Sequence, residues 1–450
     1  MMKILKTIGL MAFVAVAVIA GVQAQNGFNM PYSQFGIGLS EQPYNLPMAA
    51  RMGGVTYTRS GNNFVNPFNP ASYASIEKES FVFDMGVNLQ TSTLRDNNSS
   101  VYDADGNLGY LLVAMPVTSW LKVAGGLMPY STVSYESVST VHHDDLLGGD
   151  VKTVYDGNGG VNQVFLGLGF NILDPAKHKG TSLQAGVNGN LLVGRIQRAI
   201  SYSFQGNDST FFLNGRRYKE TRLANLIPDF GLQFRQPMGE KFTLGVAAVY
   251  KPLTDMLVKE EALIYTYHAS DQTLVDTVFP QRGEDPAFRS SLKRANTVGV
   301  GLSLERNKMW QMAVDLTFAE WQGMKYTEGT TTSIFGTSAT AYGPYSRYAA
   351  GFEKIGNMDA PTYWGRISWS LGAHLEQGSM YLDLGGSQRR LDEWGLGAGA
   401  SLPMRKGRSL LSISVAYSRL GSTYILQLDA VTFGIAVSSC ERWFVKRKYN

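Results

Sequence analysis

The residues of this chain that could do chemistry are few and scattered. Its histidines are His142, His143, His178, His268 and His374. The run His142-His143-Asp144-Asp145 contains metal-ligating residue types, but it lies in a predicted polar loop and lacks a spacing that would make its ligands converge on one ion. The sequence contains no Gly-x-Ser-x-Gly elbow, phosphate-binding loop or paired cysteine ligands. We therefore expect no catalytic residues, no metal site and no cofactor.

A second candidate, Asp103-Ala104-Asp105-Gly106-Asn107, is similar to the start of a calcium-binding loop. An EF-hand loop needs glycine at position six and glutamate at position twelve, whereas Leu108 and Ala114 stand there. Asp, Gly and Asn are common turn formers, so we predict a turn between strands. The lone cysteine, Cys440, can form no disulfide within the chain.

The composition is typical of neither a soluble enzyme nor a helical membrane protein. Charged residues make up 17% and aromatic residues 12% of the 450 residues, with 49 glycines and 23 tyrosines. The mean hydropathy is −0.11, an intermediate value that suits strands with one apolar and one polar face. The net charge is only +4, and no basic stripe with interleaved aromatics occurs, so nucleic acid is not an expected partner.

The N-terminus has the features of an export signal. Lys3 and Lys6 precede an apolar run from Ile8 to Ala20, and Val22-Gln23-Ala24 supplies small residues for cleavage. We predict a signal peptide over residues 1–24, because the apolar run is short for a membrane-spanning helix.

Alternation of apolar and polar residues with a period of two recurs along the rest of the chain. In one stretch, Leu121, Val123, Leu127, Val133 and Tyr135 are predicted to share the outer face. The repeated pattern, with glycine and serine on the polar face, predicts an all-β transmembrane antiparallel barrel of about 14 strands over residues 81–445, followed by a short periplasmic tail over residues 446–450. The stretches that show it most clearly are Phe81–Gln90, Leu121–Glu136, Lys241–Lys251, Thr297–Glu305, Trp310–Phe318, Arg366–His374 and Leu411–Ser418.

Short and long connections alternate between these strands. Such alternation is typical of outer-membrane barrels with periplasmic turns and extracellular loops, and it predicts periplasmic termini. The predicted short turns are Pro116–Ser119, Gln236–Glu240, Glu305–Lys308 and Pro403–Arg408. The predicted long polar loops are Thr93–Gly106, Thr140–Gly160, Gln205–Lys219, Asp255–Arg294 and Gln322–Pro344.

Four charged or titratable residues are predicted to face the lumen. His374 and Arg366 fall on the polar side of their strand, and Asp84 and Asp315 are expected to offset them. Charges inside a barrel are usually structural or line a pore, so we assign them no catalytic role.

Residues 25–80 differ from the barrel, because they are rich in proline and cannot supply the amides of a strand ladder. They also carry apolar residues such as Phe35, Leu39 and Phe64. An irregular segment of this kind can persist in a membrane protein inside a lumen or in the periplasm. We predict an N-terminal hatch that plugs the barrel.

Within this segment, Met52-Gly53-Gly54 is followed by Asn69-Pro70-Ala71 immediately before the first strand. These motifs resemble those of the FadL/TodX family of outer-membrane transporters for hydrophobic compounds, in the branch found in Bacteroidota. Further matches are spread over most of the mature chain. The resemblance implies a fourteen-stranded barrel, an N-terminal hatch and a kinked third strand that opens a lateral gap.

The third predicted strand contains Gly125, Gly126 and Pro129. Proline removes a ladder hydrogen bond and glycine tolerates a bend, so these residues are the candidate lateral opening. The alternative is that Pro129 lies beyond the bilayer, where a bend is harmless. No ligand residue can be carried over from the family, because its ligand sites are diffuse apolar linings.

Three functions are compatible with these features. The first is a passive channel for hydrophobic, fatty-acid-like molecules, with outer-membrane lipid around it. The second is a non-transporting subunit of an outer-membrane assembly or secretion complex with protein or lipoprotein partners. The third, a simple structural porin, is disfavoured by the long proline-rich hatch.

Overall fold

The structure, a computed structural model, describes most of the chain. The predicted signal peptide (residues 1–24) and C-terminal tail (residues 446–450) lie outside the described residues. Among the residues that are described, no helix is long and apolar enough to cross a membrane. The described residues are 29–40, 43, 46–143, 149–205, 213–268, 272–281, 289–306, 308–321, 341–384, 387–404, 409–424 and 426–442.

Fourteen antiparallel strands form the wall, and three of them are interrupted. The uninterrupted strands are β1 (Ser80–Arg95), β2 (Ser100–Pro116), β3 (Leu121–His143), β4 (Gly149–Leu173), β5 (Ser182–Gln205), β6 (Leu213–Met238), β9 (Trp310–Glu320), β11 (Ser368–Leu384), β12 (Ser387–Met404), β13 (Ser409–Ser422) and β14 (Leu426–Arg442). The interrupted strands are β7 (Phe242–Lys251 and Thr254–His268), β8 (Leu274–Gln281, Arg289–Arg294 and Asn296–Arg306) and β10 (Ala341–Tyr342 and Pro344–Lys354).

The barrel closes where the last strand pairs with the first. β14 runs antiparallel to β1 from Gln427–Arg95 to Arg442–Ser80 without a register shift. β1 therefore begins and β14 ends at the same rim of the barrel. We call this rim the turn end and the opposite rim the loop end. The predicted closed antiparallel barrel of 14 strands is confirmed.

The outer face of the wall is a band of exposed apolar side chains. Alternate residues on most strands are exposed and apolar, while their neighbours are buried or small. Such a band is what a lipid bilayer requires of a barrel wall. Its members include Leu89, Leu166, Leu226, Leu232, Val298, Leu302, Met312, Phe318, Leu371, Leu396, Ile413 and Phe433.

One face prediction was wrong, because β3 contains a bulge. The register between β3 and β4 shifts between Pro129 and Ser131, so that Tyr130 is an extra residue. An extra residue moves every later side chain to the other face. Val133 is therefore buried inside the barrel, and Tyr135 packs beside it, instead of facing lipid.

The six strands β3–β8 continue well beyond the apolar band at the loop end. We call this extension the ledge; it comprises residues 134–143, 149–160, 195–205, 213–222, 254–268, 274–281 and 289–294. Much of the ledge was predicted to be polar loops, and Asp103–Asn107, predicted as a turn, lies within β2. Because the outer faces of these segments lie beyond the lipid-facing band, they need not be apolar, and the sequence there lacks the apolar alternation that identifies strands at lipid depth.

The N-terminal residues lie within the barrel in two parts. The arm, residues 29–40, contains a 3-10 turn (Pro31–Gln34) and a two-residue strand (Leu39–Ser40) that pairs with β3. The plug, residues 46–79, contains a short helix α1 (Pro47–Ala50) and a 3-10 turn (Pro70–Ser75). Most plug residues from Leu46 to Arg59 and from Val65 to Ala74 are buried.

The depth of the lipid-facing band can be tested with arginine. Leu302, in the middle of the last segment of β8, is 51% exposed, and Leu253, at the break in β7, is 55% exposed. We expect Leu302→Arg to lower the free energy of unfolding by about 2–4 kcal/mol and Leu253→Arg by about 0–1 kcal/mol, because the cost falls towards the interface. Urea unfolding in lipid vesicles measures both, and equal losses would contradict this placement of the bilayer.

Candidate functional site: hatch, cavity and slit

Glycines on the inner face of the wall provide the seat for the plug. Gly186 on β5 lies against the backbone of Pro70, and Gly231 on β6 lies against Asn69 and Pro70. On β4, Gly169 lies against the backbone of Tyr73 and Ala74. A Cβ atom at any of these glycines would stand less than 3.0 Å from the plug, so a larger residue would displace it.

A second set of glycines on the opposite side of the barrel receives Met52-Gly53-Gly54. Met52 is fully buried and contacts Gly351 on β10 and Gly372 on β11. Gly53 and Gly54 have φ angles of 65° and 83°, which favour glycine. A Cβ at Gly53 would also collide with the backbone of Ala373 on β11. This motif therefore needs glycine both for its backbone turn and for its contact with the wall.

Asn69-Pro70-Ala71 forms the start of the second 3-10 turn and makes hydrogen bonds within the plug. The Asn69 side chain accepts a hydrogen bond from Ala71 N (3.1 Å) and donates one to Tyr57 O (2.6 Å). Asn69 and Ala71 are fully buried. Nearby, Asn188 on β5 donates to Pro67 O (3.0 Å) and accepts from the Tyr73 hydroxyl (3.1 Å). The plug is thus joined to the wall by buried polar contacts as well as by shape.

The two predicted lumen aspartates hold the plug. Asp315 on β9 accepts hydrogen bonds from the backbone amides of Thr56 (2.5 Å) and Tyr57 (2.9 Å). Asp84 on β1 accepts from the amide of Val65 (3.3 Å) and is also bonded to Tyr110 and Ser438. Both are fully buried, and their carboxylates satisfy backbone amides of the plug.

A buried ion cluster joins α1 and the following turn to β10. Glu353 accepts from Arg51 (2.7 Å) and from Arg59, and the side chains of all three are at most 8% exposed. Arg51 also donates to the Ser370 hydroxyl on β11 (2.6 Å). Next to this cluster, Arg347 on β10 donates to the carbonyl of Gly54 (3.0 Å). Buried charges need such pairing, because an unpaired ion in this environment would be very unfavourable.

The other two predicted lumen residues differ in their positions. His374 on β11 is buried and faces the lumen, with its Nε2 3.6 Å from Glu393 on β12. Arg366 does not lie on the lumen face of the wall. It ends a short helix, α2 (Tyr363–Arg366), in the turn before β11, and its Nε donates to Ala360 O. The prediction failed because Ile367, the residue just before the strand begins at Ser368, is buried and continues the strand's apolar alternation into the preceding turn.

A cavity of about 380 Å³ lies between the plug and the arm. Tyr57 and Phe68 of the plug and Phe35 and Ile37 of the arm contribute apolar walls. Its polar lining comes from two sides of the barrel, which carry Lys251, Arg294 and Arg347 on one side and His374, Glu376 and Glu393 on the other. Mixed linings with a few charged groups are typical of small-molecule sites.

The wall beside this cavity is split. The ladder between β2 and β3 runs from Pro116–Lys122 only to Leu111–Leu127, although both strands continue towards the loop end. We call the gap beyond Leu127 the slit. Gly125 and Gly126 form two of the last ladder pairs, and Pro129 and the bulged Tyr130 follow where pairing has stopped. Met128, Pro129 and Tyr130 all line the cavity.

The arm crosses the lumen and occupies part of the slit. Asn29 bonds through its side chain to both the N–H and the C=O of Glu136 (3.1 and 2.9 Å), and its amide donates to Asp103 on β2 (2.9 Å). At its other side, Tyr32 packs against Leu382 and Leu391 of β11 and β12. The arm therefore contacts both edges of the slit and partly covers the cavity at the loop end.

The wall residues that anchor the plug, such as Asn188, Gln233, Arg347 and Glu353, were not predicted from the sequence. Their partners lie far away in the sequence, and Arg51 and Glu353, for example, are separated by about 300 positions. The only available signal was a polar or charged residue on the inner face of a strand at lipid depth. Such residues need a partner, but their sequence does not identify it.

The metal-ligating candidates remain separate from this site. His142 lies on the ledge, with its Nδ1 2.6 Å from Asp150 Oδ1, and both side chains are largely exposed. Asp144 and Asp145 fall outside the described residues. Within the described ranges, no group of three or more His, Cys, Asp or Glu side chains could hold a metal ion.

A family model named BamG matches the whole chain, residues 1–450. The chain belongs to the BamG family. A comparison with curated proteins gave no match.

Several solved structures have a similar fold. The toluene transporter TodX of Pseudomonas putida is 12% identical, with 90% of this chain and 99% of that chain covered and a TM-score of 0.52. A FadL homologue of Pseudomonas aeruginosa is 13% identical over 90% and 99% of the two chains, with a TM-score of 0.51. The monoaromatic hydrocarbon channel CymD is 12% identical over 88% and 97%, with a TM-score of 0.50. The predicted FadL/TodX-type fold is confirmed.

Because the wall glycines contact the plug directly, we expect that adding a single methyl group at one of them displaces the plug. In Gly186→Ala, the new Cβ would collide with Pro70, so we expect the plug to shift and the barrel to conduct ions. The matched control is Gly189→Ala on the same strand, whose Cβ would meet nothing closer than 3.9 Å. Conductance in planar bilayers measures the effect, and equal conductance of both variants would contradict the proposed seat.

The buried ion cluster predicts a large loss of stability on neutralisation. Glu353→Gln leaves Arg51 and Arg59 without their carboxylate, which should cost about 3–5 kcal/mol of unfolding free energy. Glu305→Gln is the control, because Glu305 pairs with Arg235 at side-chain exposures of 18% and 31%, where such pairs contribute about 0–1 kcal/mol. Urea unfolding followed by tryptophan fluorescence compares them, and a Glu353→Gln protein as stable as Glu305→Gln would refute the anchor.

Proposed function

We propose that this protein is a passive outer-membrane channel through which hydrophobic molecules reach the membrane sideways. The observation that carries the proposal is the position of the cavity. It is closed by the plug at the turn end, partly covered by the arm at the loop end, and bordered by Met128–Tyr130 at the slit. The structural likeness to hydrocarbon channels agrees with this function.

The turn end would face the periplasm. The hatch leads into β1 and the chain leaves β14 at this rim, where Ser80 pairs with Arg442. The ledge would then stand outside the cell. Ligand would enter from that side past the arm and rest against Tyr57 and Phe68.

Hydrophobic free energy favours a lateral exit over a periplasmic one. A ligand with about 200 Å² of apolar surface would lose about 5 kcal/mol on leaving an apolar site for water. Passage from the cavity through the slit into lipid keeps that surface covered. The plug supports the same route, since its buried polar anchors on β1, β5, β9 and β10 oppose straight passage.

Two substitutions at the slit should change uptake in opposite directions. Pro129→Val restores a backbone N–H and removes the ring at the bulge, so we expect several-fold slower uptake of a hydrophobic fluorescent probe. Asn29→Ala frees the arm from Glu136, so we expect faster uptake. Probe entry into cells that express each variant is the measurement.

Pro237→Val at the turn end is the matched proline control and should leave uptake unchanged. Heat-modifiable migration on gels verifies that each barrel is folded. Unchanged uptake in both slit variants would rule out the lateral route.

A second function, as a subunit of an outer-membrane assembly or secretion complex, is favoured by the ledge. A six-stranded sheet that extends beyond the lipid band is larger than a pore requires, and it offers a surface for a protein or lipoprotein. Purification from detergent-solubilised envelopes distinguishes the two functions. A partner recovered in equimolar amount would support the complex, and a bound lipid or detergent tail in the cavity would support the channel.

A further inference from the structure

A second interruption of the wall lies between β6 and β7. The ladder of these two strands runs from Leu213–His268 to Leu223–Val258 and resumes only at Phe230–Tyr250. Both strands are described continuously across this stretch. Residues 224–229 of β6 therefore face residues 251–257 of β7 without a ladder pair. We call this stretch the β6–β7 break.

The sequence explains why the ladder stops here. Pro228 on β6 and Pro252 on β7 lack the amide hydrogen that a ladder bond requires. The side chain of Asn225 replaces part of the ladder, because it donates to Leu257 O and accepts from Leu257 N, both at 2.9 Å. On its far side β7 remains paired with β8. The defect is therefore confined to one pair of neighbouring strands.

Arg294 bridges the break from inside the barrel. Its Nη2 donates to the carbonyls of Pro228 (2.8 Å) and Pro252 (3.2 Å), which lie on opposite sides of the break. Its Nη1 donates to Asp229 (2.8 Å), and this ion pair is buried. Within the described ranges, its Nε is buried without a hydrogen-bond partner. The guanidinium group therefore holds two strands together and retains one donor.

The break lies between the membrane and the cavity. On the outer face, Leu226 and Leu257 are 72% and 63% exposed, as expected of side chains that contact lipid. On the inner face, Lys251, Met256 and Arg294 line the cavity. At this place the cavity and the membrane are therefore separated by side chains and not by a hydrogen-bonded ladder.

An arginine–aspartate pair is an unfavourable way to fill a barrel wall. Burial of two ions is costly, and apolar residues of similar volume often stabilise a protein as well or better. Ionisable side chains at membrane depth usually mark a pathway. The bonds of Arg294 to the two carbonyls depend only on its rotamer, so they can break while every ladder pair of β6 and β7 persists.

The break and the slit open into the same cavity. Tyr130 at the slit and Met256 at the break belong to one apolar cluster, and both line the cavity. The break also begins at the level of the slit, because one row of paired residues crosses β3 to β6. That row consists of Pro129, Asn162, Val193 and Ala224. A molecule that passes the break therefore reaches the slit along one apolar lining.

We propose that the β6–β7 break is a second lateral opening, through which amphiphiles dissolved in the membrane enter the cavity, and that Arg294 closes it. The chain of the amphiphile would pass between Leu226 and Leu257 without crossing water. Its polar head would accept hydrogen bonds from the guanidinium group once Arg294 releases the two carbonyls. This inference rests on the proposed role of the cavity as the ligand site and adds an entrance from the membrane to the exit at the slit.

The test measures access to the cavity from the bilayer. The full chain carries Leu292→Cys, at a cavity-lining position on β8, together with Cys440→Ser, and it is reconstituted in lipid vesicles. A maleimide with a hexadecyl chain, dissolved in the bilayer, reports lateral access. A charged, water-soluble maleimide reports access through the loop end. Mass spectrometry gives the labelling rate for each reagent.

Neutralisation of the bridge should open the lateral route. Asp229→Asn with Arg294→Gln removes the bridge without leaving a buried charge. We expect labelling by the lipid-dissolved maleimide to become about tenfold faster, since hydrogen bonds of a charged group across the break are lost. The rate with the water-soluble reagent should not change. The matched control is Arg235→Gln with Glu305→Gln, which neutralises another ion pair between β6 and β8 and should leave both rates unchanged.

Equal rates of the bridge variant and the control with the lipid-dissolved reagent would overturn the proposal. An equal increase with both reagents would also overturn it, because the loop end would then have loosened. Heat-modifiable migration verifies folding. If the double variant does not fold, Arg294→Lys takes its place. It keeps a charge beside Asp229 but lacks the planar group that joins both carbonyls, so it should also label faster from the bilayer.

The comparison is repeated in the Pro129→Val protein, in which the slit is altered. The tenfold ratio between the bridge variant and the control should persist there, and its loss would show that the reagent enters through the slit. Unchanged probe uptake in the slit variants together with this ratio would contradict the lateral exit and support the β6–β7 entrance. Failure of the proposed function and failure of this inference therefore give different results.

Discussion

The structure depends on one constraint: inside a bilayer, every backbone N–H and C=O must find a partner within the protein. The uninterrupted ladder between β14 and β1 meets it by closing the wall. At the slit between β2 and β3, the described wall departs from it. There the Leu39–Ser40 strand of the arm supplies substitute partners to Thr132 and Ser131 of β3.

The same constraint explains how an irregular segment can lie inside the barrel. The plug has little regular structure, so its amides and carbonyls are satisfied by side chains that reach inward from the wall, including Asp84, Asn188, Asp315 and Arg347. Glycines allow the two backbones to approach closely enough for these bonds to form. The shape and polarity of the lumen therefore match the plug. Because the plug fills most of the lumen, only a small cavity remains.

Strands could be predicted from the sequence where contact with lipid requires an apolar residue at every second position. They could not be predicted where the wall extends beyond the lipid. The strands that contain Leu89, Val300 or Ile413 could be predicted because alternate residues had to be apolar. The ledge could not, since its outer face lies beyond the lipid-facing band and need not be apolar. The bulge at Tyr130 was also hidden, because an inserted residue leaves apolar side chains on both sides of it. Contacts such as Arg51–Glu353 depend on the closed barrel and have no local signal.

The distribution of the plug contacts has a consequence for how the molecule is built. The plug touches strands from both ends of the wall, with Val65 bonded to Asp84 on β1 and Pro47 packed against Gly434 on β14. Its seat therefore exists only when the last strand has joined the first. The plug is synthesised before the barrel strands but can bind in the lumen only after the barrel has closed. During biogenesis it therefore has to be kept from aggregating until closure is complete.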